Sequence, residues 1–335
     1  MRIVRAAFIL SAILTGTLIV SAQSNQLRLV STVWPPFTNE PGQPRFALDL
    51  VETALSRLGL TSKTSIVDAA QFTPALLNGE FDGSAAAWRD ADRDRVLLFS
   101  QPYLENRLIL VGRKGSDVSP TTLSALKGKR VAIVGGYAYG NAIDDASATF
   151  VRSRSEEDSL SLLLGGSADY ALMDDLVVQY ITDNYAKEAK AKLELGTLPL
   201  VTRQLHLAIR KSRPDAKSMI DRFNSQLRGL IADHTYHKLL HVAWIRADVD
   251  GDGIPEFIPA SDRPGSTPPQ NAYTLFSPPQ MTVETPARET STKPRFYVGG
   301  NIYTDWATIP SQYKVDDQKH PDPRRSTATI FRFAW

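Results

Sequence analysis

Hydrophobic residues alternate between strand-like and helix-like spacing from the beginning of the chain. Residues 27–33 (LRLVSTV) form a short β-rich run, and Trp34-Pro35-Pro36 follows, where proline must end a strand. Leu48, Val51, Leu55 and Leu58 then recur at helical spacing, and Gly59 stands where a helix C-terminus favours glycine. The pattern therefore predicts a strand followed by an amphipathic helix.

The same alternation continues as far as Trp244. A second helix is predicted to begin with Thr73 as N-cap and Pro74 in its first turn, and to end at Gly79. Ser155 and Asp158 resemble a capping box before the leucines at 160 and 162–164. Strands are predicted within residues 107–113, 126–136, 169–175 and 204–210, and helices at 176–181 and over a long amphipathic stretch that ends at Trp244.

This order of elements predicts an α/β fold with a mostly parallel sheet in two lobes around a cleft. Ligands of open α/β sheets bind beyond the carboxyl ends of the strands, where helix N-termini point. Four conspicuous turns fall at such positions, and they contain Trp34, Trp88, Gly136-Tyr137 and Asp174. The cleft is therefore predicted to be rich in aromatic rings.

Composition narrows the choice of function and compartment. The net charge of +2 gives no broad field for nucleic acid, and the lack of cysteine excludes disulfides, thiolate metal sites and a cysteine nucleophile. Arg2 and Arg5 precede an apolar run that ends at Val20-Ser21-Ala22, the pattern of a cleaved signal peptide over residues 1–22. A membrane anchor is the alternative, although the run is short for a span. We expect a periplasmic protein.

Four motifs in a fixed order carry a family resemblance. They are LRLVSTVWPPF, LLNGEFDG followed by RDRVLLFSQPY, LKGKRVAIVGG, and GGSADYALMDD. Over residues 26–245 the chain resembles the periplasmic solute-binding proteins of ABC transporters, in the class that binds polar amino acids (bacterial extracellular solute-binding protein family 3). The resemblance implies a type II periplasmic-binding-protein fold, with two α/β lobes joined by crossover strands near 107–114 and 202–209. Lobe 1 would comprise residues 26–112 and 204–245, and lobe 2 residues 113–203.

The resemblance also assigns ligand-binding residues. Arg93, six positions before the phenylalanine of FSQPY, matches the arginine that grips a ligand carboxylate. Asp174 matches the acid that binds a ligand ammonium, and Trp34 matches a stacking aromatic. Solvated surface charge remains the alternative for Arg89, Arg93 and Arg95, a helix-cap pair for Asp174 with Asp175, and a core position for Trp34 and Trp88.

The chain departs from the family pattern at several positions of the cleft. Ser31 replaces an acid, Ala85, Ala86, Ala87 and Trp88 replace hydroxyl donors, and Tyr137, Ala138 and Tyr139 replace small hydroxyl residues. Rings in place of hydroxyls suggest an apolar amino acid, an aromatic acid or a small peptide rather than a polar amino acid. Tight binding of a basic amino acid would contradict this suggestion.

The chain beyond the family match contains a second candidate site. In the acidic segment 246–260, Asp248, Asp250, Asp252 and Glu256 are spaced like oxygen ligands of a calcium loop, but Pro259 stands where the final bidentate acid is needed. A structural calcium loop and a merely acidic turn both remain open. His234, His237 and His241 could lie on one side of a helix as metal ligands, or form a polar face. Residues 261–335 form a proline-rich, aromatic C-terminal extension.

Together these observations predict a binding protein without catalysis or cofactor, apart from the candidate calcium. It would capture an amino acid or related small organic acid and deliver it to an ABC permease by cleft closure, acting as a monomer with no nucleic-acid partner. An enzyme on the same scaffold, such as a dehydratase, and a ligand sensor or partner-binding protein are the alternatives.

Overall fold

Strands and helices alternate through most of the chain in the computed structural model. It describes residues 26–140, 143, 146–250, 252–261, 263–264, 267–268, 272–275 and 293–314. The predicted signal peptide lies outside the described residues. Within the described ranges, no helix combines the length and apolar character needed to span a bilayer.

The strands up to residue 210 are β1 (Gln26–Thr32), β2 (Thr61–Val67), β3 (Gly83–Trp88), β4 (Leu97–Phe99), β5 (Leu104–Arg113), β6 (Arg130–Val134), β7 (Thr149–Ser153), β8 (Tyr170–Asp174) and β9 (Leu193–Arg210). The α-helices are α1 (Phe46–Arg57), α2 (Ala69–Asn78), α3 (Ala91–Val96), α4 (Glu156–Leu164), α5 (Asp175–Asn184), α6 (Ala186–Lys192), α7 (Ala216–Ala232) and α8 (Thr235–Leu240). A short 3-10 helix covers Leu123–Leu126. The predicted strand–helix order is confirmed.

The strands join in the order β2-β1-β3-β9-β5-β8-β6-β7, with β4 also on β9. Strands β2, β1 and β3 are parallel, as are β8, β6 and β7. Between these groups, β5 and β9 form a long antiparallel pair from Leu104↔Leu205 to Arg113↔Leu193. The prediction of a mostly parallel sheet therefore holds only within each group, because the crossover strands return antiparallel. The exact lobe boundaries remain a prediction.

Two predicted helices have different bounds. The second helix begins at Ala69 after Asp68, so Thr73 is not its N-cap and Pro74 lies inside it, while Gly79 ends it at φ 97° as predicted. The long helix that was predicted to reach Trp244 is two helices, α7 and α8. His234 at φ 60° and His241 at φ 53° are left-handed and flank α8, so the three histidines do not share one helix face.

The segment after α8 forms a second, smaller sheet, which we call the extension sheet. Its strands are β10 (Trp244–Ala247), β11 (Glu256–Pro259), β12 (Tyr273–Thr274), β13 (Phe296–Val298) and β14 (Asn301–Tyr303), in the order β12-β10-β11-β13-β14. Short 3-10 helices cover Trp306–Thr308 and Ser311–Tyr313. Phe296 and Trp306 pack with Trp244 and Phe257 in a separate apolar cluster of this sheet.

The extension sheet also contacts the large sheet. The Tyr273 hydroxyl donates to Asp175 Oδ1 at 2.6 Å, at the start of α5. The Arg107 guanidinium on β5 lies 4.3 Å from the centroid of the Tyr273 ring and donates to the Ala272 carbonyl at 2.9 Å. On the other side, a ring nitrogen of His237 on α8 lies 3.2 Å from the Ile258 carbonyl oxygen. The extension sheet thus contacts crossover strand β5 and the helices α5 and α8.

Candidate ligand-binding cleft

Four predicted aromatic residues meet between the two groups of strands. Trp34 follows β1, Trp88 ends β3, and Tyr137 and Tyr139 follow β6. The Trp34 ring centroid lies 5.4 Å from that of Trp88 and 5.6 Å from that of Tyr137, and Trp88 lies 5.5 Å from Tyr139. These edge-to-face distances are those at which aromatic pairs attract beyond simple burial. We call these four residues the aromatic cluster.

A glycine lets the two sides of the cleft approach so closely. Gly136 has φ 83°, and a Cβ built on it would lie 2.6 Å from the Ala69 carbonyl oxygen at the start of α2. Thr73 on α2 also donates its hydroxyl to the Gly136 carbonyl at 3.3 Å. The left-handed conformation and the backbone contact both require glycine here. The cleft is therefore closed, with the loop after β6 pressed against α2.

Arg93 lies in the wall of the cleft as the sequence predicted. Its side chain is 2% exposed on α3, and its guanidinium donates to the Trp88 carbonyl at 2.8 Å and to Thr73 Oγ1 at 2.7 Å. The guanidinium also lies over the Phe72 ring, 5.3 Å from the centroid. Burial lowers the pKa of Arg93 from its usual range, although a guanidinium stays charged at neutral pH.

The other two arginines of the same segment behave as ordinary surface charges. Arg89 pairs with Asp94 at 2.7 Å, with 46% of its side chain exposed. Arg95 is 78% exposed and lies 3.4 Å from Asp92. Among the three, only Arg93 is buried.

A small cavity remains inside the closed cleft. Its volume is about 30 Å³, which is room for one or two waters, whereas sites for small molecules usually measure about 300–1,000 Å³. It is lined by residues of both sides, namely Ser31, Thr32, Trp34, Phe72, Ala86, Trp88, Arg93, Tyr137, Ala138 and Leu205. Admission of an amino acid therefore requires the rings to separate.

Asp174 is buried and acts as the cap of α5. Its Oδ1 accepts the Leu176 backbone N–H at 2.9 Å, so of the two candidate capping residues Asp174 caps this helix and Asp175 is its first residue. The side chain is buried, and this burial, together with the like charges of Asp175 and Glu156, raises its pKa well above the usual range. Asp175 instead accepts the hydroxyl of Tyr273.

Asn106 connects two of the predicted residues, although no sequence pattern pointed to it. It is fully buried on β5, accepts the Trp88 indole N–H at 2.8 Å and donates to Asp174 Oδ2 at 2.9 Å. In the sequence it lies between Glu105 and Arg107, so nothing distinguishes it from other polar residues at the end of a strand. Only its place on the buried face of that strand distinguishes it.

Glu156 is a second functional candidate that sequence reasoning missed. It is 6% exposed at the start of α4, where the indole N–H of Trp34 faces its carboxyl group and lowers its pKa. Burial outweighs that effect and raises the pKa of Glu156 to about 8. In the sequence it is one of three acids in the first turn of a helix, where acids normally face solvent.

The acidic loop between β10 and β11 gathers the predicted carboxylates. Oxygens of Asp248, Asp250 and Glu256 lie within 4.8 Å of one another. The guanidinium of Arg295 donates to Asp250 at 2.8 Å and to Asp252, and it lies 2.9 Å from Glu256 Oε1 as an ion pair. These oxygens are the hard donors that calcium prefers, but three of the four acids already pair with a cationic side chain. The calcium site remains a prediction.

Comparisons with known proteins agree with the geometry. The model of the bacterial extracellular solute-binding proteins, family 3, matches residues 29–246. ABC transporter arginine-binding protein 1 of Escherichia coli is 24% identical over 221 residues, covering 63% of this chain and 86% of that protein. A solved structure of a mutant of ArgBP from T. maritima is 27% identical with a TM-score of 0.54, covering 65% of this chain and 94% of that one.

A sensor protein is also similar to this chain. Virulence sensor protein BvgS of Bordetella bronchiseptica is 25% identical over 170 residues, which is 50% of this chain but only 13% of that protein. The fold is the type II periplasmic-binding-protein fold, with two α/β lobes joined by crossover strands. The family consists of binding proteins rather than enzymes, and its model covers well over half of this chain. The chain belongs to the bacterial extracellular solute-binding proteins, family 3.

Proposed function

We propose that this protein captures an amino acid or related small organic acid in the cleft between its lobes and delivers it to an ABC permease. The observation that carries the proposal is the buried Arg93 guanidinium in the cavity wall. Trp88 and Thr73 use part of the five N–H groups of this guanidinium, and the Asp90 carboxylate lies 3.5 Å from its Nε atom. The remaining donors suit a carboxylate, which a planar guanidinium grips bidentately.

Cleft closure is the proposed mechanism. Trp34, Trp88 and Arg93 belong to one lobe, and Tyr137, Tyr139 and Asp174 to the other. A ligand that contacts both sets favours the closed arrangement by its differential affinity for it. Rotation would take place about β5 and β9, whose pairing joins the lobes. Periplasmic location, with cleavage of residues 1–22, and a monomeric state are parts of the same proposal.

Titration calorimetry with amino acids and small organic acids, after mass spectrometry of any co-purified ligand, tests the binding step. We expect Arg93→Ala to weaken ligand binding at least about a hundredfold, because a buried charged donor is lost. Arg95→Ala is the matched control, since Arg95 lies on the same short helix and is exposed. Equal effects of the two substitutions would contradict the role of Arg93.

A sensor is the second candidate. The similarity to part of BvgS supports it, as does the extension sheet, most of which lies beyond the family match at residue 246. Uptake of a labelled ligand separates the two functions. Loss of uptake on deletion of the gene supports transport, whereas unchanged uptake with an altered response to the ligand supports sensing.

A further inference from the structure

Two buried polar atoms at the aromatic cluster lack a regular hydrogen-bond partner. They are Oε2 of Glu156 and Nε1 of Trp34, and both side chains are buried. The indole N–H faces the carboxyl group across the cleft, but its geometry falls short of a regular hydrogen bond. Each such buried group costs about 1–3 kcal/mol when it has no partner. A carboxyl oxygen without such a partner beside the aromatic cluster is therefore an acceptor that a ligand can use.

Among the residues that the structure describes, no cation lowers the pKa of Glu156. The groups that face it are the Trp34 indole, the Tyr137 and Tyr139 phenols from the loop after β6, and Asp174 at the end of β8. Arg152 acts on Tyr139 instead. Burial raises the pKa of Glu156 to about 8, so that the carboxyl group keeps its proton at neutral pH.

We propose that Glu156 determines the charge specificity of the cleft, by pairing with a positively charged group of the bound amino acid and releasing its proton to solvent. The inference rests on the proposed function. In this exchange the neutral acid becomes a carboxylate and a proton leaves, so the net charge of the site is the same before and after the cation binds. Faces of Trp and Tyr rings attract cations as well, which makes the aromatic cluster a suitable lining for an ammonium or guanidinium group.

Other ligand classes fit these groups less well. An acidic side chain cannot form an ion pair with Glu156 in either protonation state of its carboxyl group. An apolar or aromatic side chain would separate the rings but leave Oε2 of Glu156 without a partner. The inference thus opposes the apolar or aromatic ligand that the sequence suggested from its rings alone. Under this inference, the same rings form the wall of a site for a cation.

The obvious alternative is that Glu156 only orients Trp34. Glu156→Gln distinguishes the two roles, because the amide oxygen can still accept the indole N–H but cannot become a carboxylate. A purely orienting role would survive this substitution. Glu157→Gln, one residue further along the same helix turn and half-buried, is the matched control.

The experiment is calorimetric titration of the full chain with L-arginine, L-citrulline and L-phenylalanine. Citrulline keeps the shape of arginine without its charge. We expect arginine to bind about tenfold or more tightly than citrulline, and Glu156→Gln to remove that difference while Glu157→Gln preserves it. Below pH 8 the arginine affinity should rise about tenfold per pH unit, because the proton on Glu156 competes with the cation.

Titrations in phosphate and in Tris, whose ionisation enthalpies differ, measure the released proton directly. We expect close to one proton per arginine at pH 7 for the wild type and none for Glu156→Gln. Arginine binding without proton release, or equal affinities for arginine and citrulline, would overturn the inference and leave the proposed function intact. Preference for phenylalanine would also overturn it. Failure of every amino acid to bind the wild type would instead overturn the proposed function, and the inference with it.

Discussion

Replacement of Asn106 by alanine should cost far more stability than its small size suggests. Asn106 is fully buried and accepts the Trp88 indole N–H at 2.8 Å while donating to Asp174 at 2.9 Å. Alanine leaves both partners buried without this bond, at about 1–3 kcal/mol each, so we expect a loss of about 2–6 kcal/mol in the free energy of unfolding. Urea unfolding followed by circular dichroism measures it.

The control is Asn224→Ala. Asn224 on α7 accepts the Gln101 backbone N–H at 2.9 Å, but it is half-buried, so that water can replace the bond and the loss should be about 1 kcal/mol or less. Equal losses for the two variants would refute the reasoning. Asn106→Asp adds a second test, because it sets two carboxyl groups together. Its penalty should shrink at low pH, where one carboxyl group can donate to the other.

Three further predictions concern other groups. Burial lowers the pKa of His206 and of His237 to about 4, below the value of about 6.5 in an unfolded chain. The two neutral histidines therefore contribute fully to the free energy of unfolding above pH 6.5, and this contribution is lost as the pH falls through 4. It amounts to up to about 3 kcal/mol for each histidine. His206→Gln should make the melting temperature less dependent on pH over this range. Tyr273→Phe should lose about 1–3 kcal/mol with its bond to Asp175, measured by urea unfolding, and no loss would contradict that bond. The Arg295→Ala variant should have a lower melting temperature than the wild type in chelator, because the acids of the loop lose their cationic partner. Calcium should restore the melting temperature of the variant if the loop binds this ion. A variant whose melting temperature does not respond to calcium would contradict the calcium prediction.

The sequence predicted the groups that recurrent motifs mark. The position of FSQPY selected Arg93 from three neighbouring arginines, and that arginine is the buried one. The turns after the strands placed Trp34, Trp88, Tyr137 and Tyr139 in one region, because strands of a parallel group end at one edge. The order of the motifs and the predicted ends of the strands are thus enough to place residues that come directly after a strand.

Other features depend on contacts that no local pattern encodes. Asn106 and Glu156 stand among charged neighbours in the sequence, and only the packing of the two lobes buries them. The break between α7 and α8 comes at His234, which adopts a left-handed conformation without a glycine or proline to announce it. Arg295 is far from the acidic loop in sequence, so no local pattern predicts its ion pairs with Asp250 and Glu256. These pairs are seen only in the folded extension sheet.

The contacts of Tyr273 have a mechanical consequence for lobe motion. Strand β12 pairs with β10, which follows directly from α7 and α8, while the Tyr273 hydroxyl is bonded to Asp175 next to the cleft acid Asp174. Rotation of one lobe away from the other must therefore either break that bond or drag the extension sheet along with it. If the lobes rotate as proposed, the angle between the extension sheet and the large sheet would change as the cleft opens. A molecule bound to the far strands β13 and β14 would then be sensitive to that angle without touching the ligand.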